Sequence, residues 1–215
     1  MSILGRFFSR TAGNIDQSVA DHRKRAELLL GERRYREAAQ CLEAPALQND
    51  PWSQYSMARL AANGLGVPKD DEKSAALFLR AAQGGFVQAQ CALGIAYILG
   101  RGVESSPAQA IHWLTRAAEG GDASAQFNLA KAYSDGFGVQ RDDGVAAAWM
   151  LKAAESGFAE AKLGVAIWSV TGKGMPRDCE RAIRLLEPIA AGGNAEAQHW
   201  LEEARKARDG RLDGR

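Results

Sequence analysis

The feature that most constrains this chain is a spacing of 36 residues at which glycines recur without a gap. The first column of glycines is Gly64, Gly100, Gly136 and Gly172, and the second is Gly66, Gly102, Gly138 and Gly174. A third column is Gly85, Gly121, Gly157 and Gly193, and an apolar column is Met57, Leu93, Leu129, Val165 and Leu201. A fixed period of this length indicates a repeat protein whose neighbouring units stack on one another.

Each repeat is expected to form two helices, because Ala- and Leu-rich segments with helical spacing alternate with glycine-containing breaks. In one repeat the first helix is predicted from Ala123 to Asp135, with Asp122 as its N-cap and Gly136 at its end. Asp142 is predicted to cap the second helix, which ends at Gly157. The predicted fold class is therefore all-α, a solenoid of antiparallel helix hairpins.

The same spacing divides the chain into segments. Four full repeats span residues 51–194, namely 51–86, 87–122, 123–158 and 159–194, and residues 195–208 repeat only the first helix, as a C-terminal cap would. Residues 20–48 are expected to form a divergent hairpin that caps the other end. Residues 1–19 are predicted to be a flexible or loosely docked arm, and residues 209–215 a disordered tail.

One segment carries a family pattern. From Ala125 to Val139 the chain reads Ala-Gln-x-x-Leu-Ala-x-x-Tyr-x-x-Gly-x-Gly-Val, and Asp142, Ala146, Trp149 and Gly157 follow. This pattern resembles the Sel-one-like repeat, a tetratricopeptide-like helical solenoid, over residues 51 to about 204. The resemblance implies a right-handed superhelix of hairpins that serves as a scaffold or adaptor. The hairpin at 20–48 is closer to a tetratricopeptide pattern.

In such a superhelix the first helix of each repeat lines the concave side, so its face away from the packed column is the candidate contact surface. The candidate partner-binding residues on that face are Tyr55, Arg59, Cys91, Ile95, Ile98, Phe127, Lys131, Leu163, Ile167 and Val170. Because a contiguous apolar strip usually marks an interaction site, the groove is predicted to bind a peptide or amphipathic helix of a protein partner. Arg59 and Lys131 would meet its carboxylates. The alternative is that tight curvature buries these residues against each other.

No residue pattern in the sequence indicates catalytic or metal chemistry. His22, His112 and His199 are far apart, and no His or Cys spacing matches a zinc site. The segment Gly172-Lys173-Gly174 lacks the Ser or Thr that follows the lysine of a phosphate-binding loop. We therefore expect no enzyme activity, no cofactor and no metal, and an unrecognised hydrolase-like activity is the less favoured alternative.

The net charge and the number of cysteines restrict the class of partner and the cellular compartment. The 27 basic and 26 acidic residues leave a formal net charge of +1, so no nucleic-acid partner is expected. Three cysteines at unrelated spacings, no signal peptide and no long apolar run predict a cytoplasmic protein. An alternative function is a peripheral membrane-associated adaptor that uses residues 1–19, where the apolar residues are Ile3, Leu4, Phe7 and Phe8.

Overall fold

The computed structural model describes residues 18–210, and this part of the chain consists of eleven α-helices and contains no strand. The described part of helix α1 covers residues 18–31. The ten following helices are α2 Tyr35–Leu47, α3 Pro51–Asn63, α4 Asp71–Gln83, α5 Val87–Leu99, α6 Pro107–Glu119, α7 Ala123–Asp135, α8 Asp143–Glu155, α9 Ala159–Thr171, α10 Cys179–Ala191 and α11 Ala195–Arg208. The prediction of an all-helical fold is confirmed.

The helices form two units, one up to Ser106 and one from Pro107 onward. The first unit contains α1 to α5, and within it α3 packs against both α2 and α4. The second unit contains α6 to α11, and within it α7 packs against both α6 and α8. The boundary lies between the two helices of the repeat at 87–122, so the sequence repeat and the structural unit do not coincide.

The helix ends follow the capping pattern expected from the sequence. Helix α7 begins after Asp122, whose carboxylate accepts a hydrogen bond from the Ala125 amide at 2.8 Å. It ends at Gly136, which has a φ of 73° and so takes the left-handed conformation that glycine favours. Asp142 caps α8 by accepting a hydrogen bond from the Val145 amide at 2.9 Å. The prediction for this hairpin is confirmed, although α8 ends at Glu155, two residues before Gly157.

The second glycine of each Gly-x-Gly pair allows the turn to approach the preceding hairpin. A Cβ atom at Gly138 would lie 2.8 Å from the carbonyl oxygen of Pro107, at the start of α6. A Cβ atom at Gly174 would overlap the carbonyl group of Asp143, at the start of α8. Both glycines also have a positive φ, so a larger residue would be strained there as well as crowded. Glycine is therefore required in this column by the contact between neighbouring repeats.

Alanine at the contact positions allows the helices within each unit to pack closely. Ala58 and Ala81 in the first unit, and Ala130 and Ala153 in the second, have no exposed surface. Leu129 is 1 % exposed and fills space between these small residues. Close packing of this kind gives the dispersion contacts that hold a hydrophobic core together.

In most of the first helices, a glutamine near the start donates a hydrogen bond to the hairpin before it. The amide nitrogen Nε2 of Gln90 donates to the carbonyl oxygen of Ala82 at 3.2 Å, near the end of α4. Gln126 donates in the same way to Ala118, and Gln198 to Ala190, each at 3.2 Å. Lys162 occupies this column in the fourth repeat. These hydrogen bonds satisfy buried carbonyl groups that a helix end would otherwise leave with fewer partners.

Candidate protein-interaction face

In the first unit, the candidate contact residues lie on helices α3 and α5. Arg59 on α3 is exposed, and Tyr55 beside it is half-buried. Ile95 and Ile98 on α5 are also half-buried. Cys91 is only 6 % exposed, so it is a packing residue and offers no contact surface.

Tyr55 combines packing with a partly exposed ring. Its ring centroid lies 5.8 Å from that of Phe78 on α4 and 5.0 Å from that of Phe86, which precedes α5. The guanidinium carbon of Arg59 lies 5.7 Å from the Tyr55 ring centroid, which is within cation–π distance. The ring therefore contacts the exposed arginine on one side and packs α3 against the next hairpin on the other.

In the second unit, the candidate residues lie on α7 and α9. Phe127 packs against Phe158 with ring centroids 5.1 Å apart, and the Lys131 ammonium lies 5.9 Å from the Phe127 ring centroid. Leu163 and Ile167 are half-buried. Val170 is 7 % exposed and therefore belongs to the core, like Cys91.

The candidate contact columns alternate in residue type with a period of two repeats. An aromatic ring with a cation one turn later stands in the first and third repeats, as Tyr55 with Arg59 and Phe127 with Lys131. The second and fourth repeats have aliphatic residues in the cation column, Ile95 and Ile167. A comparison of the columns at a spacing of 72 residues would have identified this alternation. Each unit therefore has one aromatic–cation pair and one aliphatic residue in the cation column.

A cavity of about 220 Å³ opens between α3, α4 and α5 of the first unit. Its apolar lining includes Ala62, Ala75, Phe78, Ile95, Ala96 and Leu99. Arg59 and Arg101 also line it, and both are exposed. Of these residues only Arg59 and Ile95 were among the predicted contacts. Arg101, Phe78 and Leu99 were missed because they lie outside the columns chosen for the face.

Neither arginine of this cavity forms an ion pair with a carboxylate of the described chain. Asp71, which also lines the cavity, has its Oδ2 atom 3.7 Å from the ammonium of Lys69, and its buried Oδ1 atom has no hydrogen-bond partner. The two guanidinium groups are thus available to an acidic ligand.

The equivalent position in the second unit, 72 residues later, is occupied by the protein's own side chains. Trp168 stands in the column of Ala96, and the Lys173 ammonium lies 5.1 Å from the centroid of its ring. Lys173 also donates to the hydroxyl of Ser134 and lies 3.8 Å from Asp143 Oδ1. The lysine that corresponds to Arg101 is therefore held by three groups of its own unit.

The carboxyl group of Asp143 is ionised more readily than a free aspartate. Arg141 hydrogen-bonds to it at 2.8 Å, and this bond is the main cause that lowers its pKa below the ordinary value. The charges of Arg141 and Lys173 lower this pKa further. Arg141 and Lys173 thus both interact with Asp143. In the first unit, Lys69 stands in the column of Arg141 and pairs with Asp71, whereas Arg101 forms no ion pair with a carboxylate of the described chain.

A second cavity, of about 630 Å³, lies between α9 and α10 of the second unit. Its apolar lining includes Leu163, Leu185, Pro188 and Ile189, and Lys162, Arg184 and Glu160 are the charged residues around it. Leu163 is the only one of the predicted contact residues that lines it. Because these charges are of both signs, the cavity does not by itself favour an acidic or a basic ligand.

Residues 18–210 contain no group of three or more His, Cys, Asp or Glu side chains placed to hold a metal ion. No helix within the same range is both long and apolar enough to cross a bilayer. The proposed membrane-contact residues Ile3, Leu4, Phe7 and Phe8 lie outside the described residues.

The chain is similar to solved structures of two repeat proteins. It is 31% identical to a Sel1 repeat protein from Oxalobacter formigenes, covering 82% of this chain and 72% of that one, with a TM-score of 0.74. It is 28% identical to a protective antigen present in uropathogenic Escherichia coli strains that displays an SLR fold. That match covers 95% of this chain but 44% of the antigen, with a TM-score of 0.82. Among curated proteins no match was found.

These similarities confirm the predicted class, an all-helical solenoid of helix hairpins. A sequence profile of the Sel1 repeat matches four consecutive segments, residues 53–86, 87–122, 123–158 and 157–194. The glycine pairs, the capping aspartates and the glutamines Gln90 and Gln126 described above fall within these segments. Together they place the chain in the Sel1 repeat family.

Proposed function

We propose that this chain is a non-catalytic scaffold that binds a segment of a partner protein on the face of its first helices. Sel1 repeat proteins are in general protein-interaction scaffolds and are typically not enzymes. The observation that supports this proposal best is the pairing of a half-buried aromatic ring with an exposed cation on the first helix of two repeats. Tyr55 with Arg59 and Phe127 with Lys131 are these pairs.

Aromatic rings and cations are suited to protein recognition. A ring that is already held by Phe86 or Phe158 loses little conformational entropy when a partner covers it. A cation above such a ring can pair with a carboxylate of the partner and gives the contact a preferred charge. The contact residues that we propose are therefore Tyr55, Arg59, Ile95 and Ile98 in the first unit, and Phe127, Lys131, Leu163 and Ile167 in the second.

A cytoplasmic location is part of the proposal. No disulfide joins Cys41, Cys91 and Cys179, which suits a reducing compartment. Fractionation of the source cell with antibodies to the native chain would test this, and recovery of the chain outside the cytoplasm would contradict it.

The function is tested by affinity capture from the source cell with quantitative mass spectrometry. The native chain is compared with a Phe127→Glu, Ile167→Glu variant and with Lys131→Glu, which changes only an exposed residue. The control is Gln140→Glu with Ala148→Glu, since both residues are exposed in the same unit and the change adds the same two negative charges as the double variant. Circular dichroism establishes that each variant is folded.

We expect a protein that is captured by the native chain and the control and is depleted by about tenfold or more with the face variants. The proposal is contradicted if capture is equal for all folded variants, or if no protein is enriched over a mock purification.

A further inference from the structure

At the cavity of the first unit, small residues occupy repeat columns that carry larger or polar side chains in the second unit. At the equivalent position of the second unit, Trp168 and Ser134 hold the Lys173 side chain. In the first unit the same columns carry Ala96 and Ala62, which have neither a ring nor a hydroxyl. Arg101, in the column of Lys173, is consequently exposed and has no such support.

The size and lining of this cavity suit a single bulky apolar side chain. An apolar protein cavity of about 150 Å³ is large enough to bind benzene. The cavity here has a volume of about 220 Å³ and is bounded by Phe78, Ile95 and Leu99. Leu99 is 59% exposed, so part of this apolar lining is accessible to a ligand.

The charges around the cavity select the ligand. Arg59 and Arg101 both line it, and neither has a carboxylate partner within the described chain. The only carboxylate in the lining is that of Asp71, which is 3.7 Å from Lys69. Arginine binds carboxylates with two parallel hydrogen bonds, so two unpaired guanidinium groups favour an acidic ligand.

We propose that this cavity receives a bulky apolar side chain from an acidic segment of a partner protein, whose carboxylates pair with Arg59 and Arg101. This inference rests on the proposed function and specifies the chemistry of the partner. Charge complementarity also argues against the chain's own N-terminal residues as the occupant, because Arg6 and Arg10 flank the apolar residues there.

The test begins with a displayed library of random twelve-residue peptides, selected on the full-length chain. Peptides that are enriched are then synthesised with a fluorophore, and their dissociation constants are measured by fluorescence anisotropy. We expect the enriched peptides to share a large apolar residue with Asp or Glu close to it in the sequence. Versions of the same peptides with Lys in place of the acidic residues are expected not to bind.

Variants of the chain locate the binding site. Arg101→Glu and Arg59→Glu are each expected to weaken binding by about tenfold or more, because they replace attraction with repulsion. Ala96→Trp introduces the residue that the fourth repeat carries in this column, and it is expected to abolish binding by filling the cavity. Leu99→Glu changes an exposed residue and gives a second test of the cavity if Ala96→Trp does not fold.

Lys73→Glu is the matched control for the arginine variants. It reverses a charge on an exposed residue of α4 in the same unit, outside the cavity lining. We expect it to change the dissociation constants by less than about twofold, a difference of a few tenths of a kcal/mol.

The inference is overturned if no peptides are enriched or if they lack acidic residues. It is also overturned if binding survives Ala96→Trp and Leu99→Glu, or if sedimentation shows that the cavity instead binds a second copy of the chain. A cellular partner that is lost with Lys131→Glu but retained with Ala96→Trp and Arg101→Glu would overturn this inference and leave the scaffold proposal intact. The two failures are therefore distinguishable.

Discussion

The cavity of the first unit and the equivalent position in the second unit show how one repeat pattern can produce two different surfaces. Both positions carry an acidic residue at the start of the second helix, Asp71 or Asp143, and a cation 30 residues later, Arg101 or Lys173. In the second unit the cation is bound by its own unit, and in the first it is exposed. The difference shows that the small residues Ala62 and Ala96, and not only the charged ones, decide whether the cation is held by its own unit.

The largest loss of stability is expected at a glycine contact that the two units have in common. Gly174 lies against the Asp143 carbonyl group, and Gly102 lies in the same way against that of Asp71. We expect Gly174→Ala and Gly102→Ala each to lower the free energy of unfolding by about 3 kcal/mol, since a positive φ and an overlap both oppose the Cβ atom. Chemical denaturation followed by circular dichroism measures this value.

The control for the glycine prediction is Gly157→Ala. Gly157 has a φ of +90° but has no atom within 4 Å of the position of a Cβ, so only the backbone strain remains. Its cost is expected to be about 1 kcal/mol. Equal costs at Gly157 and Gly174 would show that the contact with the preceding hairpin is not what requires glycine.

A change at Trp168 would make the second unit resemble the first. Trp168→Ala removes a half-buried ring that packs in the core of α8 and α9, and it leaves the side chain that Ala96 has. We expect a loss of about 2 kcal/mol in the free energy of unfolding, less than for a fully buried tryptophan. Native-state hydrogen exchange of the α9 amides should show the loss locally. Unchanged protection of these amides would mean that Trp168 does not support this position.

The two cations provide a smaller and more direct comparison. Lys173→Ala removes an ammonium that donates to Ser134 and lies near Asp143, and we expect a loss of about 1 kcal/mol. Arg101→Ala is expected to change the free energy of unfolding by less than about 0.5 kcal/mol, because the exposed guanidinium makes no ion pair in the described chain. Equal losses of unfolding free energy for the two variants, in parallel denaturation experiments, would contradict the view that only Lys173 is held by its own unit.

The smallest effect concerns pH. The pKa of Asp143 is lowered in the folded protein, chiefly by its hydrogen bond with Arg141, so its carboxylate adds stability above the unfolded pKa, about 3.9. This contribution is lost as the pH falls through the lower, folded-state pKa. The difference in stability between the native chain and Asp143→Asn should thus be present at pH 7 and vanish in acid. A difference that is constant with pH would contradict this assignment.

Much of the fold could be predicted from the sequence because its determinants are local. The residues that cap α7 and α8, Asp122 and Asp142, act within three residues of their own position, and Gly136 ends its helix through its own φ. The role of Gly138 could not be read in this way. Besides its positive φ, its requirement for glycine comes from Pro107, a residue 31 positions earlier, which approaches it only in the folded unit.

The candidate site was predictable in part. The columns place Tyr55 four residues before Arg59 and Phe127 four residues before Lys131. The structure brings each cation within cation–π distance of its ring, because residues four apart on a helix are adjacent. The same columns included Cys91 and Val170, which the packed helices bury. Helical spacing identifies a face but not how far neighbouring helices cover it.

The sequence alone therefore determined the repeat length, the helix hairpins, their caps and the Sel1 repeat family, since each of these depends on short-range geometry or on a regular spacing. Only the tertiary structure decided which repeats present an open cavity and which fill it. Arg101 and Lys173 occupy the same column, yet Lys173 is held because Ser134 and Trp168 come from two other helices that meet it. Such an environment is formed by elements distant in the sequence, so no single column records it.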